Sequence, residues 1–92
     1  MKVQNITNNN GNKVANQFIV DGEHRGQAGR FFQSYNSVIA FVPANGSSIS
    51  LDGGYWDFSK TTSKYRNKFL NETTQDTKRK IASGEYILTD LN

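Results

Sequence analysis

The sequence contains no cysteine, a single histidine and a single proline among its 92 residues. Without cysteine there is no disulfide, no thiolate metal site and no cysteine nucleophile, and this composition fits a reducing cytoplasm. His24 stands between Glu23 and Arg25 in a predicted loop, and no Gly-x-Ser-x-Gly segment supplies a nucleophile. Carboxylates at metal-binding spacing and a phosphate loop are also missing. We therefore predict a protein that is not an enzyme, with no catalytic residues, no cofactor and no metal.

Long apolar runs are absent as well. No stretch is long enough to cross a bilayer, and the first residues lack the apolar core of a secretion signal. A chain of this length suits one compact domain with a small core. We therefore predict a single domain over residues 1–92 that is cytoplasmic and not associated with a membrane.

Positive charge is concentrated in one part of the chain. The formal net charge is +3, yet residues 60–80 hold seven basic and two acidic residues, a balance of +5. Charge gathered on one element attracts anionic partners more strongly than the net charge implies. We predict a basic binding face composed of Lys60, Lys64, Lys68, Lys78, Arg79 and Lys80. A solvated helix surface without a ligand is the alternative interpretation.

Alternating and β-branched stretches predict three or four antiparallel strands in the N-terminal half. A tight turn is expected at Asp21-Gly22, because glycine accepts the positive φ of a sharp reversal, and a flexible connection through Gly26 and Gly29 follows. Residues 1–13 are rich in asparagine and form either a flexible terminus or a short edge strand. The other strands are expected at 14–20, at 31–42 with a bend near Asn36-Ser37, and at 48–51.

The period becomes helical after residue 60. Thr62, Tyr65 and Phe69 fall on one apolar stripe, and Ser59, Thr61 or Thr62 can cap the first turn. Asn71 ends this helix, and the segment 73–76 resembles a capping box for a second, short helix that ends at Gly84. Residues 85–89 are a candidate final strand. The prediction is an α+β domain in which a helical hairpin covers one face of the sheet.

Aromatic residues accompany the basic ones. Tyr55, Trp56 and Tyr65 stand near the lysines, where flat rings could stack bases or form a protein–protein contact, and the alternative for such rings is the core. Arg66 falls on the inner side of the predicted helix. Because a charge close to the core needs a partner, we predict a structural pair between Arg66 and Asp57.

The segment 55–70 reads Tyr-Trp-Asp-x-Ser-x-Thr-Thr-x-Lys-Tyr-Arg-Asn-x-Phe-Leu. It resembles a family of small proteins associated with phages, prophages and other mobile elements. The resemblance continues through 16–19, 32–40 and 83–92, so it covers nearly the whole chain. The likeness implies a genomic neighbourhood and not a mechanism.

Three hypotheses about function follow. Small phage proteins often act by binding, so the resemblance implies a host-defence antagonist, of the anti-CRISPR type, in the cytoplasm of the host cell. Its partner would be a host protein or ribonucleoprotein complex bound stoichiometrically by the basic face. A nucleic-acid-binding accessory module, single-stranded or non-specific, is the second hypothesis. The third is a homo-oligomeric structural protein in which the strand at 31–42 pairs at a sheet edge.

Overall fold

The structure is a computed structural model that describes residues 2–92. It confirms the α+β class and the two helices, but six strands are present in the described chain, so the predicted three or four is wrong. The elements are β1 (Val3–Thr7), β2 (Lys13–His24), β3 (Gln27–Ser34), β4 (Ser37–Pro43), β5 (Ser50–Asp52), α1 (Lys60–Leu70), α2 (Thr74–Ala82) and β6 (Ile87–Thr89).

The strands form one sheet in the order of the chain, from β1 at one edge to β6 at the other. Neighbours from β1 to β5 are antiparallel, whereas β5 and β6 are parallel, with Leu51 opposite Leu88. The reason is the connection between them, because both helices lie between β5 and β6 and return the chain to the same end of the sheet. The sheet is therefore mixed, which corrects the prediction of a purely antiparallel one.

The first hairpin turn lies later than the sequence predicted. Asp21 and Gly22 are strand residues opposite Arg30 and Gly29, and the reversal falls at Arg25-Gly26, where both residues have positive φ, 51° and 80°. Such a pair matches the twist of the strands it joins. Gly29 is not part of a flexible connection, because a Cβ there would lie 2.3 Å from the carbonyl oxygen of Val42. Its role is close strand packing.

The stretch 31–42 is two strands and not one bent strand. The hairpin turn is at Tyr35-Asn36, and the φ of Tyr35 is 55°. Both β3 and β4 lie inside the sheet with a strand on each side. The oligomer hypothesis needs this stretch at a sheet edge, and the structure places it inside the sheet; the edge strand within residues 1–13 is β1.

The helices cover one face of the sheet, as predicted, and the core lies between the two layers. Ser59 caps α1 by accepting from the backbone N–H of Thr62, and Asn71 ends the helix in the left-handed conformation. Thr73 and Asp76 form the expected capping box of α2. The buried apolar residues of this core are Ile6, Phe32, Ile39, Ala40, Leu51 and Tyr86, and α1 and α2 add Tyr65, Phe69, Leu70 and Ile81.

A row of mostly apolar residues crosses the other face. Phe32 and Leu51 belong to the core under the helices, so their strand neighbours Phe31 and Ser50 point away from the helices. The register aligns one residue from each strand in this row, and Val3, at its outer end, is 58% exposed. Phe41 and Ser50 in the middle of the row are buried, whereas Ile87, at the other end, is exposed like Val3. We call it the open-face row: Val3, Val20, Phe31, Phe41, Ser50 and Ile87.

Candidate binding surface

Arg66 is the centre of a buried polar network and not part of an exposed site. Its side chain has no exposed surface, and Nη1 donates to the carbonyl oxygen of Trp56 at 2.5 Å. Nη2 donates to Oδ1 of Asn67 at 3.0 Å and to Oγ1 of Thr74 at 3.1 Å, and Nη1 lies 3.7 Å from Oδ1 of Asp57. These contacts join the segment before α1 to both helices.

The environment of Arg66 explains why so many acceptors surround it. Burial lowers the pKa of Arg66, and the nearby Asp57 carboxylate offsets this only in part. The guanidinium also lies 5.1 Å from the centre of the Trp56 ring, a favourable cation–π distance. A buried cation without such partners would cost several kcal/mol, so the pair predicted from the sequence has the geometry of a structural element.

The three predicted aromatic contact residues lie in three separate places. Trp56 is half-buried against the core and holds Arg66. Tyr55 is 38% exposed and packs edge-on against Phe58, with ring centres 5.6 Å apart. Tyr65 is half-buried, with the amino group of Lys64 5.3 Å from its ring. Of these rings, Tyr65 is the one beside the basic stripe of α1.

The lysines of α1 are exposed and follow one stripe. Lys60, Lys64 and Lys68 are four residues apart, which places them on one side of the helix. None of the three forms an ion pair with another described residue. Lys68 donates to the backbone carbonyl of Thr7, so this stripe faces the end of β1.

The basic residues of α2 are in a different situation. Lys80 is half-buried, lies 2.9 Å from Glu72 and 3.9 Å from Glu85, and its charge is used inside the protein. Arg79 is exposed and pairs with Asp76 at 3.0 Å, whereas Lys78 is exposed and forms no ion pair with a described residue. Lys80 therefore does not belong to a free basic face, which corrects that part of the prediction.

Glu72 collects the hydrogen bonds of this internal cluster. Its carboxylate accepts from Thr77 Oγ1 at 2.5 Å, from the Tyr86 hydroxyl at 2.5 Å and from Lys80 at 2.9 Å. Burial opposes the charge of Glu72, but the three donors outweigh it and lower its pKa. Burial and the bond to Glu72 raise the pKa of Tyr86 to about 12. The cluster fastens α2 and the segment before β6 to the end of α1.

A cleft lies between the exposed stripe of α1 and β1. We call it the α1–β1 cleft; it consists of two cavities of about 550 and 310 Å³ that share Lys68. The larger cavity is lined by Gln4, Asn5, Ile6, Thr7, Ile19, Arg30, Val42, Lys68 and Phe69. The smaller one is lined by Asn8, Asn9, Lys64, Tyr65 and Lys68.

The lining of the cleft suits an anionic ligand with some apolar surface. Among the described residues that line it, cations, amides and apolar groups are present and carboxylates are not. Asp21 lies just outside and is 3.5 Å from Arg30, so the charge of Arg30 is partly offset. The uncompensated charges are those of Lys64 and Lys68. Lys60, Lys78 and Arg79 line neither cavity.

The sequence pointed to three of the residues that line this cleft and missed the others. Lys64, Lys68 and Tyr65 were predicted from the basic stripe, whereas Arg30 and the amides of β1 were not. The missed residues are distant in sequence, and the pairing of β1, β2 and β3 brings them to α1. A signal for them existed only in the alternation of β1, where Gln4 and Ile6 share the face of the core residue Ile19.

Comparison with known proteins places the chain in a family. Residues 1–85 match the family of unknown function DUF8033, and the chain belongs to it. Neither a curated protein nor a solved structure matches the sequence. Among the described residues, no three histidine or carboxylate side chains converge to hold a metal ion. No helix in the described part is both long and apolar enough to traverse a bilayer.

Proposed function

We propose that this protein acts by stoichiometric, non-covalent binding of an anionic partner in the α1–β1 cleft, as a host-defence antagonist of a phage or another mobile element. The observation that carries the binding proposal is the pair Lys64 and Lys68, two exposed cations without an acidic neighbour, at the mouth of a cleft whose lining has no carboxylate. The defence role follows from the resemblance of the segment 55–70 to proteins of mobile elements.

The distribution of charge supports binding of an anionic partner. Elsewhere in residues 60–80, Arg66 and Lys80 are held by internal partners and Arg79 by Asp76. The lysine stripe of α1 and Lys78 of α2 remain to attract an anion. Of these, Lys64 and Lys68 line the cleft, and cations next to low-dielectric walls attract an anion more strongly than isolated surface charges do. The partner we propose is an acidic surface of a host defence complex, a protein or a ribonucleoprotein, in the cytoplasm of the host cell.

The test is inhibition of defence in living cells. Bacteria that carry defined CRISPR–Cas systems are transformed with a targeted plasmid while they express the protein. We expect transformation to be restored for at least one system, and to be lost again in the double variant Lys64→Glu, Lys68→Glu. Lys60→Glu is the matched control, because Lys60 lies on the same stripe but outside the cleft. Unrestored transformation with every system would contradict the defence role.

A nucleic-acid-binding module is a second candidate, favoured by one observation. The smaller cavity combines the ring of Tyr65 with Lys64, Lys68 and the amides of Asn8 and Asn9. Rings that stack bases and cations that neutralise phosphates are typical of single-strand binding. Under this hypothesis oligothymidylate binds at low salt, with an affinity that falls steeply as salt rises. Absence of binding at low salt removes it.

A further inference from the structure

The partner itself can be described more closely from the free edge of β1. We infer that the α1–β1 cleft takes up an extended segment of a protein in which acidic and apolar residues alternate, and that this segment joins the sheet as an additional strand beside β1. The inference rests on the proposed function and names the chemistry of its partner.

The backbone of β1 is free on its outer side. β1 is at the end of the strand order and pairs with β2 alone among the described strands. The carbonyl of Lys2 accepts from the N–H of Asp21 at 2.8 Å, so Lys2 faces β2. In an antiparallel strand the facing alternates from residue to residue, which turns the backbone groups of Val3 and Asn5 outward. These are the groups that an added strand uses.

The cleft reaches this edge. Four consecutive residues of β1, Gln4 to Thr7, line the larger cavity, although alternate side chains of a strand point to opposite faces. The register of β1 shifts between Asn5 and Thr7, so this segment is irregular, and a cavity that touches all four residues runs along it. The carbonyl of Thr7 already accepts from Lys68, which shows that α1 contacts the outer side of β1.

The two faces beside β1 have different chemistry. On the helix side, Lys68 and Lys64 stand in a lining without carboxylates, so residues of an added strand that point this way are best acidic. On the opposite side, the open-face row ends at Val3, which is 58% exposed and next to Val20. A residue that extends this row is best apolar, because it removes the surface of Val3 from water. Alternation of acidic and apolar residues satisfies both faces at once.

A peptide strand uses features that a nucleic acid does not. Outward N–H and C=O groups in alternation match the backbone of another strand, whereas phosphates need donors and have no use for the carbonyls. Tyr65, the aromatic residue of the smaller cavity, is half-buried, which leaves little of its ring for a base to stack on. The observations therefore favour the protein segment, and nucleic acid is an outcome that the test below distinguishes.

The test uses a fluorescein-labelled octapeptide of alternating Glu and Val, measured by fluorescence anisotropy with the full chain. We expect saturable binding that a Lys-Val octapeptide and oligothymidylate do not reproduce. Hydrogen–deuterium exchange followed by NMR should show the amides of Val3 and Asn5 becoming protected in the complex. Val3→Pro should weaken binding about tenfold, because proline removes an outward donor and leaves the bonds of Lys2 and Gln4 to β2 in place.

Charge variants complete the design. Lys68→Glu should also weaken binding about tenfold or more, whereas the control Lys60→Glu should bind as the unmodified protein does. Strand addition is overturned if the Glu-Val peptide does not bind at millimolar concentration. It is also overturned if binding leaves the amides of Val3 and Asn5 unprotected, or if oligothymidylate or a second copy of the chain occupies β1 instead.

Failure of this inference and failure of the proposed function give different results. If Val3→Pro still inhibits defence while the Lys64, Lys68 double variant does not, the cleft binds its partner without strand addition. If no defence system is inhibited but the Glu-Val peptide binds and protects β1, strand addition stands and the defence role is wrong.

Discussion

The inner and outer sides of α1 carry cations in opposite states. Arg66, on the inner side, is fully buried and has acceptors from Trp56, Asn67 and Thr74. Lys64, two residues earlier, is exposed and has no ion pair with a described residue. The comparison teaches that a basic stretch of sequence holds two kinds of charge. One kind stabilises the fold, and the other is available to a ligand.

The largest expected effect is the loss of the inner cation. Arg66→Ala should lower the free energy of unfolding by about 3–5 kcal/mol, because it leaves buried acceptors without a donor and opens a cavity. Arg66→Lys should rescue little, since one ammonium cannot reach the positions of both Nη atoms. Urea denaturation measures both. Lys64→Ala, the control from the outer side of α1, should change the free energy of unfolding by less than about 0.5 kcal/mol. An equal loss in Arg66→Ala and Lys64→Ala would show that the two sides of α1 do not differ in this way.

A smaller loss is expected when the buried carboxylate is neutralised. Glu72→Gln should cost about 2 kcal/mol at neutral pH, since three donors lose a charged acceptor. Because folding lowers the pKa of Glu72, its contribution is present above its unfolded pKa, about 4.3, and disappears as the pH falls through the folded value. Thermal unfolding from pH 7 to pH 2 should show a flatter acid limb in the variant. The exposed Glu85→Gln is the control, and an unchanged limb in Glu72→Gln would contradict the assignment.

The bond between Tyr86 and Glu72 gives a third and smaller effect. Tyr86→Phe should cost about 1 kcal/mol, the usual contribution of one hydrogen bond. The folded pKa of about 12 exceeds the unfolded value of about 10, so this stabilisation is complete below pH 10 and is lost between pH 10 and 12. Phenolate absorbance should show a late step near pH 12 that is missing from Tyr86→Phe and kept in Tyr55→Phe. A late step that survives in Tyr86→Phe would show that another tyrosine produces it.

The smallest expected effect has the opposite sign, since the substitution is expected to stabilise the fold or leave its stability unchanged. Gln17 is fully buried on the face of the sheet that the helices cover, opposite Ser34. Neither polar atom of its amide has a hydrogen-bond partner among the described residues. Gln17→Met should therefore leave the free energy of unfolding unchanged or raise it by up to about 1 kcal/mol. Ser34→Ala, which removes a buried bond to Thr62, should instead lower it. A loss in Gln17→Met as large as that in Ser34→Ala would reveal an unrecognised partner of the amide.

The difference between free and internally paired cations also explains which parts of the candidate site could be predicted from the sequence. The stripe of Lys64 and Lys68 is a property of helical spacing, so it could be read from the sequence. Lys80 is also a lysine of the basic stretch 60–80. Its charge is nevertheless paired, because the turn between the helices brings Glu72 next to it. Free and internal cations are indistinguishable until their neighbours in space are known.

The fold shows the same division. The sequence alone indicated both helices, the end of α1 at Asn71 and the capping box that begins at Thr73, because caps and apolar stripes depend on residues within one or two turns. It left three candidates for the cap of α1, of which the structure uses Ser59. Only the tertiary structure decided that Asp21-Gly22 stays in a strand, that β6 joins β5, and that β1 ends beside α1. Strand pairing is a long-range interaction, and the packing of residues far apart in the chain selects it from several turns that local preferences allow equally well.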